Sequence, residues 1–264
     1  MKLRPIWGCL CLARFRKYRR KRGGQELNLK ERELILLSRK SRVREKKSGI
    51  PLVAYNYPRE VISEQYRLIR TNILFASVDE EVKSIMITSS EPGDGKSTTA
   101  ANLAIVLAQQ GKKVLLVDAD LRKPSIHYSF QLSNIFGLTS ILTKDIDIDG
   151  AVSNSYIGNL QILNSGPIPP NPSELLNSKA MENLMKELNT FYDYVIYDTP
   201  PLLVVADPQI IANRCDGTVL VIASGKTQKD RALKAKELLV KAKSKILGVV
   251  VNGVESMKDE YYGR

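Results

Sequence analysis

The sequence predicts an α/β fold, a mostly parallel β-sheet with helices on both faces, on three observations. Apolar, β-branched runs at 84–88, 113–117, 160–163, 194–197, 217–223 and 246–251 alternate with helical stretches at 100–110, 178–189, 208–213 and 228–243. Strands that alternate with helices form βα units, and their sheet is buried on both faces. Three of the runs end in polar chemistry: 84–88 in a turn bearing Gly93, Gly95 and Lys96, 113–117 in Asp118 and Asp120, and 194–197 in Asp198. In an open parallel sheet the carboxyl ends of the strands are where ligands bind. Finally, 264 residues with 43% hydrophobic content suffice for one main domain with a sizeable core.

The chain begins with a basic arm. Residues 1–48 hold 17 Lys/Arg against 4 Asp/Glu, a net +13, which leaves 23 against 24, a net −1, for residues 49–264. The body therefore lacks the cation excess of a nucleic-acid-binding domain, and no nucleic-acid partner is expected. Pro5 to Ala13 is apolar but too short to cross a bilayer, and it runs into Arg14-Phe15-Arg16-Lys17-Tyr18-Arg19-Arg20-Lys21-Arg22 instead of a small-residue cleavage site. Such a segment suits an anionic membrane surface, where each cation contributes roughly 1 kcal/mol. A disordered charged tail and a misplaced start codon are the competing readings. Leu27, Leu34, Ile35 and Leu37 fit a short amphipathic helix that Gly49-Ile50-Pro51 ends. Cys9, Cys11 and Cys215 allow neither a multi-bridge framework nor a four-cysteine zinc site, and His127 has no metal-binding companions. A reducing compartment fits this usage.

The body, 49–264, opens with a predicted helix over 58–76. Val61, Ile62, Tyr66, Ile69, Ile73 and Leu74 recur at three-to-four spacing, with Glu64, Arg67 and Arg70 on an adjacent face as a salt-bridge ladder or a surface for a partner subunit. Next comes Ser89-Ser90-Glu91-Pro92-Gly93-Asp94-Gly95-Lys96-Ser97-Thr98-Thr99 between a strand and a helix. That is the context of a phosphate-binding loop: backbone N–H groups and the positive helix end converge there. Gly93 and Gly95 let the backbone approach a phosphate, Lys96 reaches the β- and γ-phosphates, and Ser97 holds Mg²⁺. The loop departs from G-x-x-x-x-G-K-[ST] at its first position, which is Ser90. Tyr194-Val195-Ile196-Tyr197-Asp198 has the pattern of a strand presenting a Mg²⁺-binding carboxylate beside the phosphates.

Together these residues resemble one family, the bacterial protein-tyrosine kinases of capsular and exopolysaccharide synthesis, P-loop proteins related to the MinD/ParA ATPases. The resemblance spans roughly residues 50–264 and rests on Ser-Ser-Glu-Pro-Gly-Asp-Gly-Lys-Ser-Thr at 89–98, Val-Asp-Ala-Asp-Leu-Arg-Lys-Pro at 117–124, Gly-Pro-Ile-Pro-Pro-Asn-Pro-Ser-Glu-Leu-Leu at 166–176 and Tyr-Asp-Thr-Pro-Pro at 197–201. It implies a P-loop NTPase-like, MinD/ParA-like fold and an ATP-dependent kinase using Mg²⁺. Gly93, Asp94, Gly95, Lys96, Ser97 and Thr98 would form the Walker A nucleotide site, Asp118 and Asp120 the Walker A′ motif, and Asp198 Walker B. Ser97, Asp118 and Asp198 are then the expected metal ligands. Lys96, Asp118, Asp120 and Asp198 are the expected catalytic groups, with the choice of base between Asp118 and Asp120 open.

The resemblance further implies a ring-shaped homo-oligomer built through Glu64, Arg67 and Arg70, whose subunits phosphorylate each other's C-terminal tyrosines. Here the tail offers Tyr261 and Tyr262 where the family often has a longer cluster. A separate transmembrane activator resembling a polysaccharide co-polymerase, a cognate phosphotyrosine phosphatase, and a cytoplasmic location at the inner face of the membrane are also implied. Two alternatives are a MinD/ParA-like positioning ATPase and an ATP-binding scaffold of a glycan-export complex. The positioning ATPases usually carry a second lysine where this chain has Glu91, which favours the kinase.

Overall fold

The computed structural model describes residues 11–16, 49–76 and 81–254. Among them eight strands form one sheet: β1 (Cys11–Arg16), β2 (Ser84–Ser89), β3 (Val114–Asp118), β4 (Val152–Asn154), β5 (Leu160–Leu163), β6 (Tyr194–Asp198), β7 (Gly217–Ala223) and β8 (Ile246–Val254), in the order β1-β8-β7-β2-β6-β3-β5-β4. Every pairing is parallel except β4 with β5. The predicted α/β class therefore holds, with one antiparallel edge strand that the sequence pattern did not show.

Alternate residues of the central strands face two separate apolar layers, as a period of two requires. Ile85, Ile87, Val114, Leu116, Ile196, Val219 and Val221 meet α1 (Val53–Asn56), α2 (Val61–Ala76), α3 (Lys96–Ala108) and α4 (Ile126–Phe130). Met86, Leu115, Val117, Val195, Tyr197, Leu220 and Ile222 meet α5 (Leu138–Leu142), α6 (Ile148–Ala151), α7 (Pro172–Asn177), α8 (Lys179–Phe191), α9 (Asp207–Ala212) and α10 (Lys229–Lys241). In α8, Met181, Leu184, Met185 and Leu188 make the buried stripe, and the Ser178 hydroxyl caps its start by accepting from Met181 N at 3.2 Å.

Three expectations need correction. The helix after the phosphate loop starts at Lys96 instead of Ala100, so Lys96 to Thr99 form its first turn. That helix is buried nearly all round, and Ala100, Ala101, Ala104 and Ala108 let its neighbours approach closely. In α2, Tyr66, Ile69 and Ile73 are buried as expected, whereas Val61 is 61% and Leu74 40% exposed. Within the arm, Cys11–Arg16 lies as a strand parallel to β8. The arm's other segments, including the proposed helix around Leu27–Leu37, lie outside the described residues, as do Tyr261 and Tyr262.

Candidate active site

The strand order brings the three chemistry-bearing ends together, because β2, β6 and β3 are neighbours at the centre of the sheet. Ile87 is in register with Asp198, and Asp198 with Asp118. The chain leaves β2 at Ser89 and enters α3 through Gly93 at φ 79° and Gly95 at φ 101°, left-handed values that favour glycine. Thr99 N donates to Gly95 O at 2.9 Å, the first helical bond. Earlier amides of the turn have no intrahelical acceptor, so they and the helix dipole favour an anion at this end.

Lys96 sits at the convergence. Its Nζ lies 3.1 Å from Ser97 Oγ, 3.3 Å from Asp198 Oδ1 and 3.1 Å from Asp120 Oδ2. Burial alone would lower the pKa of this ammonium, but the charges of Asp198, Asp120 and Asp118 raise it above the usual lysine range. Asp118 and Asp198 are raised as well, which for a carboxylate favours the neutral form. Burial and the charge of Asp198 lift Asp118 to about 7, and burial raises Asp198 despite the counter-charge of Lys96. Asp198 and Asp120 thus pair directly with one largely buried ammonium, and the charge of Asp118 adds to theirs. Asp198 Oδ2 is buried without a hydrogen-bond partner. With Ser97 Oγ close to Lys96, that donor set suits a hard divalent cation shared with phosphate oxygens.

Asp118 and Asp120 divide their roles. Asp118 accepts from Ser125 N and Ile126 N at 3.0 Å each through Oδ2, and from Asp120 N at 3.3 Å through Oδ1. It braces the loop that follows β3. Asp120 instead turns Oδ2 to Lys96, while its Oδ1 accepts from Lys123 N at 3.0 Å. Asp94 is also a brace: fully buried, it accepts from Glu91 N at 2.9 Å and from Thr227 Oγ1 at 3.1 Å.

Several contributors escaped sequence reasoning. Asp207, fully buried at the start of α9, takes a two-pronged bond from Arg122, at 2.7 Å from Nε and 3.1 Å from a terminal nitrogen. The Ser173 hydroxyl donates to Asp207 at 2.5 Å and accepts from Arg122 at 3.0 Å. This cluster ties two of the quoted motifs, 117–124 and 166–176, to the segment that follows Asp198. The membership of Arg122 and Ser173 in those motifs was a signal; Asp207 offered only a carboxylate at a helix start. On the other side of the phosphate loop, Lys226, Thr227, Arg231 and Asn252 touch residues 91–94. They come from β8, the β7-to-α10 segment and the first turn of α10, and no sequence pattern marks them.

Glu64 and Arg67 form an exposed ion pair, and Arg67 also donates to Pro58 O at 2.7 Å. Arg70 leaves the ladder and donates to Val106 O, near the C-terminal end of α3, at 2.9 Å. A groove of about 890 Å³ lined by Lys113, Val152, Gln161, Leu184 and Tyr192, among others, contains none of the convergent residues.

Comparison with known proteins shows the family to which the chain belongs. Residues 82–245 match the family described as AAA domain. The chain is 59% identical over 212 residues to the tyrosine-protein kinase YwqD of Bacillus subtilis, covering 80% of this chain and 90% of that one. The chain belongs to the bacterial tyrosine-protein kinases. Its structure is similar to that of the chimerical protein CapA2B2, with a TM-score of 0.81 and 38% identity over 96% of this chain and 98% of that one. A more distant likeness, with a TM-score of 0.56 and 25% identity over 64% of this chain and 70% of the other, is to the septum site-determining protein MinD of Pyrococcus horikoshii in complex with Mg-ADP. The kinase thus has a P-loop NTPase fold of the MinD type.

Proposed function

We propose that this tyrosine kinase binds ATP with Mg²⁺ at the phosphate loop and transfers the γ-phosphoryl group to Tyr261 and Tyr262 of a second copy, in the control of capsular or exopolysaccharide synthesis and export. The observation that carries the reading is the placement of Lys96 between Asp198, Asp120 and Ser97 at the start of α3. The Mg-ADP bound by the MinD relative supports the nucleotide and the metal. Phosphoryl transfer asks a protein chiefly to position its reactants and neutralise phosphate charge. The amides of the loop bind the phosphates, and Lys96 turns from its carboxylates to the γ-phosphoryl oxygens. Ser97 and Asp198, with its unpartnered Oδ2, are the residues that would hold Mg²⁺. When bound, the ion supplies positive charge to the β- and γ-oxygens.

A tyrosine hydroxyl titrates near 10 and is a weak nucleophile at neutral pH. Asp120 is the better-placed acceptor for its proton, since Asp118 is engaged by three backbone amides. A positioning ATPase is disfavoured because Glu91 is paired with Arg231 at 2.7 Å, where such proteins carry a lysine. A ring-shaped oligomer is supported by α2, which sets exposed Val61, Leu68 and Phe75 at seven-residue spacing beside the Glu64–Arg67 pair. The CapA2B2 chimera, whose name joins two components, is in keeping with a separate membrane activator. No described helix is long and apolar enough to cross a membrane; the basic arm would hold the kinase at the inner membrane face. A cognate phosphatase would reset the tyrosines.

The test incubates the purified chain with labelled ATP and Mg²⁺ and maps phosphotyrosine. Label is expected on Tyr261 and Tyr262 and is expected to vanish in the Tyr261→Phe, Tyr262→Phe double variant. Undiminished label in that variant would move the acceptor elsewhere.

A further inference from the structure

The phosphate loop is gripped from outside by groups that belong to none of its motifs. Lys226 Nζ donates to Pro92 O at 2.7 Å, and Asn252 Nδ2 donates to Asp94 O at 3.1 Å. Each holds the carbonyl that precedes a left-handed glycine, Gly93 or Gly95. A Cβ built on Gly93 would lie 2.8 Å from Lys226 Nζ, and one built on Gly95 would lie 2.2 Å from Asn252 Nδ2. Both donors therefore press on one flank of the loop.

The consequence follows from peptide planarity. In a trans peptide the C=O of one residue and the N–H of the next point in opposite directions. With Pro92 O turned to Lys226, the Gly93 N–H points to the far side, and with Asp94 O turned to Asn252 the Gly95 N–H does the same. Successive amides aimed to one side make an anion-binding nest. A peptide beside glycine otherwise flips readily because no Cβ resists it. Flipped, it would present a carbonyl oxygen to the phosphates in place of a donor.

We propose that Lys226 and Asn252 are positioning residues that pre-set the Pro92–Gly93 and Asp94–Gly95 peptides for phosphate binding, so that the nest is formed before the nucleotide arrives. The two donors are themselves held in place. Thr227 Oγ1 accepts from Ala223 N at 2.9 Å and donates to Asp94 at 3.1 Å, Ser224 N donates to Asn252 O at 2.7 Å, and Arg231 closes on Glu91. The end of β7 and β8 thus act as a template for the loop after β2, and strand order makes this possible because β7 lies directly between β2 and β8. Affinity gained this way comes from not having to order the loop on binding.

The inference rests on the nucleotide site proposed above, and one experiment separates the two. Calorimetric titration of the full chain with Mg·ADP is compared for wild type, Lys226→Met, Lys226→Arg and Asn252→Ala, alongside thermal unfolding without nucleotide. Lys226→Met and Asn252→Ala are expected to weaken ADP binding about tenfold or more, the effect of losing a strong positioning bond. Their unliganded melting temperatures should stay within about 2 °C of wild type, and Lys226→Arg should recover most of the affinity because it keeps a donor. Unchanged ADP affinity would overturn the proposal. So would affinity and melting temperature falling together without recovery in Lys226→Arg, which is the signature of a contact that only stabilises the fold. Failure of the wild type to bind ADP would overturn the nucleotide site itself.

Discussion

Lys96 faces more negative charge than it can balance, and this shapes the outcome of removing it. In Lys96→Met the three carboxylates lose their counter-charge, but Asp118 and Asp198 already have raised pKa values and can take up protons instead of unfolding the site. Tyrosine phosphorylation is therefore expected to fall by at least about 100-fold, the scale of losing a main charge-stabilising donor, with near-wild-type thermal unfolding. A folded variant that keeps its phosphorylation would remove this loop from the mechanism. Asp207 shows the opposite balance. Burial alone would raise its pKa, yet Arg122 and Ser173 hold it below the usual carboxylate range. Its charged form stabilises the fold fully above the unfolded value of about 3.9, and that contribution is lost as pH falls through the lower folded value. Asp207→Asn should thus be less stable than wild type at pH 7, with the gap closing below about pH 4, as read by urea unfolding across pH. A gap independent of pH would assign the cluster's effect to packing and shape.

Among the elements, α2 carries two functions on residues that look alike in sequence. Arg70 places its charge on a carbonyl near the C-terminal end of α3, where a cation is favoured by the helix dipole. Arg67 stays at the surface with Glu64. Arg70→Ala is accordingly expected to cost about 1 to 2 kcal/mol of stability in denaturant unfolding. Arg67→Ala should cost less than about 1 kcal/mol and instead lower the mass seen by light scattering, if this face meets a neighbouring subunit. Equal mass for wild type and Arg67→Ala would reduce the Glu64–Arg67 pair to a local contact. The helical periodicity that identified α2 could not separate these arginines. Both lie on a polar face, and which one meets α3 depends on how the two helices pack.

For the whole molecule, the arm is the largest electrostatic asymmetry, and β1 divides it. Deleting residues 1–48 would strip the edge strand from β8 as well as the charge. A cleaner test replaces Lys17, Arg19, Arg20, Lys21 and Arg22 with glutamine. Binding to anionic vesicles is expected to drop for this variant, and wild-type binding to weaken as salt rises, while unfolding stays unchanged. Equal binding by both proteins at low salt would reject the membrane role of the segment. The sheet itself was largely legible because parallel strands buried on both faces are continuous apolar runs, as at 84–88 and 217–223. The short pieces were not. β4 and the helices α4 to α7 span three to six residues each, too few for a period to declare itself.

The sequence by itself determined the α/β class, the phosphate loop and the acidic residues placed at the strand ends, because strand burial and glycine-rich turns write local, periodic signals. Only the tertiary structure decided that Asp120 and not Asp118 turns to Lys96, that Asp207 clamps Arg122, and that Lys226 and Asn252 hold the loop. Each of these contacts joins residues from separate elements. Its existence depends on strand order and on the direction in which each carboxylate or amide is aimed, and neither is encoded in the spacing of residues along one segment.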